Sequence, residues 1–314
     1  MTTASAPMRW AHRLALVTVG ATLVLIVAGG LVTNTGAALA VPDWPTTFGH
    51  NMFLYPWSQM VGGVLYEHSH RLLGALVGFL TLGLATVLWF GDRQGRLRLL
   101  GLAAVVLVGG QGLLGGLRVL LLRDTLAIVH GCLAQAFFAL TVALAVFTAP
   151  AWRAPVAPLP AAEARRLWGL AVAATAALYL QIVLGALTTH AGRIDWHLGG
   201  AVVATLAVAL LALRVLARHR ARAALAWPAG TLLSLLALQL GLGLGAYVAR
   251  FTGFAVPGGV LGGLVLPVAH RATAALLLGG AVMLVLTLGR LGGAEAAEAR
   301  AQLPAGPGAQ GVAA

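Results

Sequence analysis

Residues 70–90 read HRLLGALVGFLTLGLATVLWF, a histidine and an arginine followed by nineteen residues without a charge. A helix needs about 20 consecutive apolar residues to cross the hydrocarbon core of a bilayer. The whole chain of 314 residues has this character, since it is 60% hydrophobic and only 9% charged, whereas soluble domains are about 25% charged. The short alternating segments of a membrane β-barrel are lacking. The sequence therefore predicts an all-α integral membrane protein.

Seven further apolar segments bring the number of predicted transmembrane helices to eight. The spans fall at about 14–33, 70–90, 99–120, 127–149, 167–189, 197–217, 229–249 and 268–289. The first follows Arg9 and Arg13 and is long enough to span, so we interpret it as a retained helix and not as a cleaved leader.

The charge of the chain indicates its orientation. The net charge is +12, and all 20 basic residues are arginines. In the predicted topology 14 of them lie on the side of the N-terminus and 6 on the opposite side. Because basic loops stay in the cytoplasm, we expect a multi-pass protein of the cell membrane with both termini cytoplasmic. The arginines are then explained by orientation in the lipid bilayer and not by binding to a nucleic acid.

The chain also repeats itself. Residues 26–37 (IVAGGLVTNTGA) resemble residues 182–193 (IVLGALTTHAGR), and four histidines recur at offsets of 127 and 140 residues. They are His70 with His197, and His130 with His270. We predict two pseudo-symmetric four-helix bundles of the same orientation. The first comprises residues 1–149 and the second 167–290, with a cytoplasmic Pro-rich linker at 150–166 and a disordered tail at 291–314.

The four histidines are the candidate functional residues. Each is expected to open an even-numbered span, at the outer end of its bundle. A titratable side chain inside a membrane is costly, and two facing imidazoles in a helix bundle can ligate haem iron. For a single histidine, an interfacial structural role would be more frequent; the repeat favours ligation. We therefore predict one haem in each half, with Arg71 and Arg271 as charge partners.

One acidic residue separates the halves. Glu67 precedes His70 by three residues and would share its helix face, where a carboxylate could move protons. The alternative is an acid in a first helical turn, favoured by the helix dipole. In the second half, Asp195 precedes His197 at a different spacing. This difference suggests one reactive and one supporting haem.

Glycine pairs at helical spacing are predicted to allow close helix packing: Gly112 with Gly116, and Gly241 with Gly245. Of the remaining histidines, we expect His12 and His219 to be solvated. Three others lie near the predicted outer site without a repeat partner: His50, His68 and His190.

Together these elements resemble the haem A synthase family. The residues that carry the resemblance are VPDWP at 41–45, EHSHR at 67–71, and the later His130, His197, His270 and Arg271. The resemblance extends over about residues 14–290. It implies eight helices in two four-helix halves, and an oxidoreductase that converts the C8 methyl of haem O to a formyl group by successive hydroxylations. The product, haem A, is needed by cytochrome oxidases.

The resemblance also implies roles for individual residues. Haem b would lie in the C-terminal half on His197 and His270. Haem O, as substrate, and haem A, as product, would lie on His70 and His130, with Glu67 as the catalytic acid. The implied partners are haem O synthase (protohaem farnesyltransferase), the assembly of cytochrome oxidase, and an electron donor such as a quinol; a homo-oligomer stays open.

The sequence departs from part of this family at one place. Some members carry a cysteine pair in the first outer loop, where this chain has Val41 near one such position. Its one cysteine is Cys132, so a thiol pair cannot serve electron entry or loop locking here.

Two other functions compete with the enzyme. One is a b-type membrane electron-transfer cytochrome with two permanent bis-histidine haems. The other is a haem transporter or chaperone. A carboxylate beside only one of the two sites favours the enzyme over the cytochrome.

Overall fold

The computed structural model describes residues 6–92 and 95–301, with the backbone alone at residue 6 and from residue 294 onward. Its α-helices are α1 (Ala6–Asn34), α2 (Gly63–Gly91), α3 (Arg96–Leu121), α4 (Asp124–Thr148), α5 (Ala161–Ala191), α6 (Ile194–His219), α7 (Ala223–Phe251) and α8 (Gly259–Ala301). All eight contain a segment long and apolar enough to cross a membrane. A helix suits that medium because it satisfies its own backbone groups. The prediction of an all-α membrane protein with eight spans is confirmed, and no β-strand occurs in the described ranges.

The helices that carry the four histidines begin before those histidines. α2 begins at Gly63, seven residues before His70, and α8 begins at Gly259, eleven residues before His270. The expectation that each histidine opens its span therefore holds for His197, which lies in the first turn of α6, and is wrong for the other three. Hydropathy marks where the apolar run starts, whereas a helix extends through polar residues at the interface for as long as its backbone bonds form.

The segments that follow α4 and α8 pack against the bundle. α5 begins at Ala161, and Leu159, just before it, is only 1% exposed. The Leu159 N–H donates to the carbonyl of Leu291 in α8. α8 itself continues to Ala301, inside the segment predicted to be disordered. The rest of that segment, residues 302–314, lies outside the described residues.

Each half of the chain closes on itself. In the first half α1 contacts α2, α2 contacts α3, α3 contacts α4, and α4 contacts α1; α5 to α8 contact one another in the same order. The halves meet where α1 and α4 contact α8, and α4 contacts α5. Ile26, Phe138 and Ala275 form a buried cluster at this seam. Between helices in lipid, such close van der Waals packing stabilises association more than the hydrophobic effect does.

Buried threonines in the helices satisfy their hydroxyls locally. Thr22, Thr81 and Thr273 each donate to the backbone carbonyl four residues earlier. This is a common arrangement for hydroxyl side chains in helices. These residues need no partner across the bundle, so they do not mark a site.

Candidate functional site

The structure brings the four histidines together in two facing pairs, one in each half of the chain, as predicted. His70 of α2 faces His130 of α4, with ring centroids 6.5 Å apart and ring planes at 77°. His197 of α6 faces His270 of α8, with centroids 6.1 Å apart and planes at 81°. Each pair therefore joins the two even-numbered helices of one half.

These distances fit a metal between the rings. Two nitrogens that each bind one metal at about 2 Å lie about 4 Å apart, which puts the ring centroids about 6 Å apart. No group of three or more histidine, cysteine or acidic side chains that could hold a bare metal ion occurs among the described residues. A haem iron needs no more than two protein ligands, because its macrocycle supplies the other four. The histidine pairs thus fit haem.

The two pairs differ in what holds their rings. In the C-terminal half, His270 Nδ1 lies 3.2 Å from the carbonyl of Gln239, and the amide nitrogen of Gln181 lies 2.9 Å from His197 Nδ1. In the N-terminal half, the Nδ1 atoms of His70 and His130 are buried and make no hydrogen bond. The C-terminal rings therefore have a hydrogen-bond partner on Nδ1, and the N-terminal rings do not.

Glu67 and Arg71 form a buried ion pair one helical turn apart. Their side chains are 6% and 10% exposed, and Arg71 Nη2 lies 2.9 Å from Glu67 Oε1. The other carboxylate oxygen, Oε2, accepts the backbone N–H of Val41 at 2.9 Å. Both oxygens of the predicted catalytic acid are thus bonded.

Arg71 also binds the loop between α1 and α2 (residues 35–62). Its guanidinium donates to three backbone carbonyls of that loop, those of Val41 at 3.0 Å, Asp43 at 2.7 Å and Thr46 at 3.0 Å. Arg71, predicted as a charge partner for haem, therefore holds the VPDWP segment on α2. In the sequence, only the four-residue spacing between Glu67 and Arg71 indicated that these two side chains would pair.

Asp43 organises the next turn of this loop. Its carboxylate accepts the backbone N–H groups of Phe48 at 2.7 Å and Gly49 at 2.8 Å, and the hydroxyl of Thr46. Burial alone would raise the pKa of Asp43, but the hydrogen bonds from Gly49, Thr46 and Phe48 outweigh it and lower that pKa below its ordinary value. The turn therefore depends on the ionised carboxylate.

Trp44 of the loop lies on α3 at Gly116, where the ring occupies the space that a side chain would need. Two members of the predicted glycine pairs, Gly112 and Gly241, have nothing within 4 Å of an added Cβ. A Cβ on Gly245 would lie 3.0 Å from Leu266 of α8. The helix-packing prediction therefore holds at Gly245 and is wrong for the other three glycines.

The remaining histidines have structural surroundings. His68 is buried, 3.1 Å from the Thr47 hydroxyl and 5.2 Å from the Tyr55 ring. His12 Nδ1 lies 3.1 Å from the carbonyl of Ala145, and His219 lies 3.5 Å from Glu163. The expectation that His12 and His219 are solvated is wrong, because each is part-buried beside a partner from another helix.

Arg271 and Asp195 are the charged residues next to the C-terminal histidines, and they differ from Arg71 and Glu67 of the first half. Arg271 is part-buried and makes no hydrogen bond or ion pair within the described part of the chain. Asp195 pairs with Arg193 at 3.0 Å, and its side chain is 62% exposed. Asp195 therefore has no resemblance to the buried Glu67, while Arg271 leaves a cation available next to His270.

Parts of this chain are similar in sequence to known proteins. A family model described as "Cytochrome oxidase assembly protein" matches residues 55–195. A protein of Shouchella clausii named "Heme A synthase" is 34% identical over 105 residues, which are 33% of this chain and 34% of that protein. One of the same name from Alkalihalophilus pseudofirmus is 35% identical over 95 residues, 30% and 31% of the two chains.

Over these segments the chain resembles haem A synthases. The chain spans about a third of the length of the curated relatives it matches. The family match includes Glu67, His70, Arg71 and His130 and ends before His197. For the C-terminal pair, the internal repeat and the ring geometry carry the argument.

Proposed function

We propose that this protein is a haem A synthase, an oxidoreductase that converts the C8 methyl of haem O to a formyl group by successive hydroxylations. The observation that carries the proposal is the asymmetry between two otherwise matching histidine pairs. Glu67, buried, lies one helical turn before His70, whereas the acid nearest His197 is exposed. Haem iron supplies the oxidising chemistry; the residues of the chain hold the macrocycle, exclude water and move protons.

The N-terminal half, residues 1–149, would hold the haem that is changed. His70 and His130 would hold its iron. A second bond on a ligating histidine fixes the ring and strengthens metal binding, and neither ring has one on Nδ1. Ligands without this second bond suit a site that must release haem A and admit haem O.

The C-terminal half, residues 167–290, would hold resident haem b on His197 and His270. Here neighbours fix both rings, through the Gln239 carbonyl and the Gln181 amide. Arg271, adjacent to His270 and without a partner in the described chain, would bind a haem propionate by a charge-assisted hydrogen bond. A haem held by His197 and His270 would supply one-electron transfer chemistry.

Glu67 would act as the proton-carrying residue. Adding a proton to Oε2 turns that acceptor into a donor, which would break its bond from the Val41 N–H. Proton transfer at Glu67 is therefore coupled to the α1–α2 loop, which Val41, Trp44 and Arg71 hold over α2 and α3. Water access to the N-terminal site would change with the same step.

The arginine distribution supports placement in the cell membrane, with both termini cytoplasmic and the haem sites toward the outer face. The lipid bilayer, haem O synthase, a quinol or other electron donor, and the assembly of cytochrome oxidase are the proposed partners. A homo-oligomer is compatible with this arrangement.

The test uses protein purified from cells that make haem O, followed by extraction and identification of its haems. Glu67→Gln keeps an oxygen acceptor and the side-chain volume but cannot carry the proton. It should keep haem b and lose haem A. Asp195→Asn, the matched change in the second half, should leave both haems.

The competing electron-transfer cytochrome predicts otherwise. Two permanent haems would give protohaem from both halves, without haem A, in the wild type and in both variants. Unchanged haem A formation in Glu67→Gln would refute the role of the carboxylate, and a wild type with only non-exchanging protohaem would refute the enzyme. A chaperone would fix a haem in neither half.

A further inference from the structure

Each of the four histidine rings lies against a glycine of the preceding odd-numbered helix. An ideal Cβ built on that glycine would lie 2.8 to 3.5 Å from the ring carbon Cε1. The pairs are Gly29 with His70 (3.1 Å), Gly115 with His130 (3.5 Å), Gly185 with His197 (3.2 Å) and Gly243 with His270 (2.8 Å). Real Cβ atoms almost never approach closer than 3.0 Å, so a side chain at Gly243 would force the His270 ring to shift.

A backbone carbonyl lies beside the same ring, four residues before each glycine. The residues are Leu25, Gln111, Gln181 and Gln239, which face His70, His130, His197 and His270 in that order. In an α-helix the carbonyl of residue i accepts the N–H of residue i+4, which here is the glycine. In α7, His270 Nδ1 lies 3.2 Å from the Gln239 oxygen.

The arrangement sets the direction of the ring. At Gly243, a Cβ would lie 3.2 Å from His270 Nδ1 and 3.8 Å from Nε2. At Gly185, the distances to His197 Nδ1 and Nε2 are 3.5 and 4.0 Å. The Nδ1–Cε1 edge therefore faces the wall of the helix. When Nδ1–H donates to a carbonyl, the lone pair of Nε2 is left for a metal.

Three of the four helix segments that face a histidine ring share a short sequence pattern. It is Gln-x-x-x-Gly at Gln111–Gly115, Gln181–Gly185 and Gln239–Gly243, while α1 has Leu25 in the first position. The side chain of Gln181 also donates to the backbone oxygen of His197 at 2.9 Å. The amide nitrogen of Gln239 lies 3.3 Å from His270 Nε2, and it would have to move away for Nε2 to bind iron. The glycine and the carbonyl four residues before it thus recur in four helices, and three of these also carry the glutamine.

We propose that these four glycines, each with the carbonyl four residues earlier, are seats that position the histidine ligands. The seats set the depth of each ring against its helix, and at His270 the Gln239 carbonyl, 3.2 Å from Nδ1, also favours the Nδ1–H tautomer that leaves Nε2 for iron. The inference rests on the proposed haem ligation and adds residues that never contact the metal. It also separates these glycines from their neighbours Gly112 and Gly241, which face open space.

The test replaces each seat glycine with alanine and compares it with an open glycine of the same helix. The matched controls have nothing within 4 Å of the added Cβ: Gly20 in α1, Gly112 in α3, Gly169 in α5 and Gly241 in α7. Alanine is the better helix former, so an effect confined to the seats cannot come from helix propensity. Bound haem is read from the absorption spectrum, and the ligand field from electron paramagnetic resonance and the midpoint potential.

The expected losses follow the distances. Gly243→Ala should lower haem b affinity about tenfold or more, as changes that disturb the second bond of a ligating histidine do. Gly185→Ala should lower it less and shift the midpoint potential of the haem that remains. Gly115→Ala, at 3.5 Å, should have the smallest effect of the four, and the open-glycine variants should match the wild type.

Two results would refute the proposal that these glycines position the histidine rings. One is equal haem content and an equal midpoint potential in Gly243→Ala and Gly241→Ala. The other, should Gly243→Ala fail to fold by circular dichroism and size exclusion, is an unchanged potential and spectrum in folded Gly185→Ala. A wild type without a bis-histidine haem would instead refute the proposed function, so the two failures are distinguishable.

Discussion

Replacement of Arg71 by alanine should release the α1–α2 loop while leaving the eight helices in place. Arg71 is 10% exposed and holds Glu67 together with the carbonyls of Val41, Asp43 and Thr46. Other hydrogen bonds between the loop and α2 join Val41 to Glu67 and Thr47 to His68. The guanidinium is thus the main link between the loop and the helix.

The size of the effect follows from these bonds. Removing one partner of a buried ion pair costs about 3–5 kcal/mol, since the remaining charge is left without compensation. Water that enters an opened loop recovers part of this, so we take about 3 kcal/mol for loop opening. At about 1.4 kcal/mol per factor of ten, the open population should rise roughly a hundredfold. Lysine at this position would restore little, because a point charge cannot bind three carbonyls and a carboxylate at once.

Limited proteolysis measures that population. Chymotrypsin cleaves after aromatic residues, and Phe48, Phe53 and Trp57 of the loop are exposed. Cleavage of Arg71→Ala should be about a hundredfold faster than that of the wild type, by the same conversion. Arg123→Ala is the control, because Arg123 is an exposed arginine just before α4. Equal cleavage rates in the two variants would refute the argument that Arg71 fastens the loop.

Three further predictions concern the loop and the seam. Gly116→Val should displace the Trp44 ring, which occupies that space, and speed proteolysis of the loop, whereas Gly112→Val should not. Asp43 has a lowered pKa, so its contribution to loop stability is present above the ordinary value of about 4 and is lost as pH falls through the lower folded value. Proteolysis at graded pH should show this loss in the wild type and not in Asp43→Asn, which should be cleaved quickly at every pH; a flat wild-type profile would contradict it. Phe138→Ala at the seam, where the ring is 1% exposed, should cost about 3–5 kcal/mol and lower the thermal midpoint, while Phe79→Ala, 63% exposed, should leave the midpoint near that of the wild type.

Much of the fold was predictable because a bilayer restricts a spanning segment to a long apolar helix. An uncharged run of about 20 residues, such as 72–90, has few alternatives to a transmembrane helix. The repeat divides the four histidines into one pair per half, His70 with His130 and His197 with His270, and the rings of these pairs do lie 6.5 and 6.1 Å apart.

The parts that sequence reasoning missed depend on contacts between distant residues. Arg71 binds carbonyls 25 to 30 residues away, and no local pattern reports such bonds. Composition also cannot tell which side of α3 carries the contact, so Gly112 was selected and Gly115 was overlooked. The threefold Gln-x-x-x-Gly pattern was available in the sequence, but only the rings beside it show its meaning.

The division of labour between the two histidine pairs is the central claim, and a haem inventory of ligand variants tests it most directly. Wild type, His70→Ala and His197→Ala would be purified from cells that make haem O, and their haems extracted and identified. We predict haem b with haem A in the wild type, haem b alone in His70→Ala, and loss of haem b in His197→Ala. Loss of haem b in His70→Ala together with its retention in His197→Ala would contradict the account.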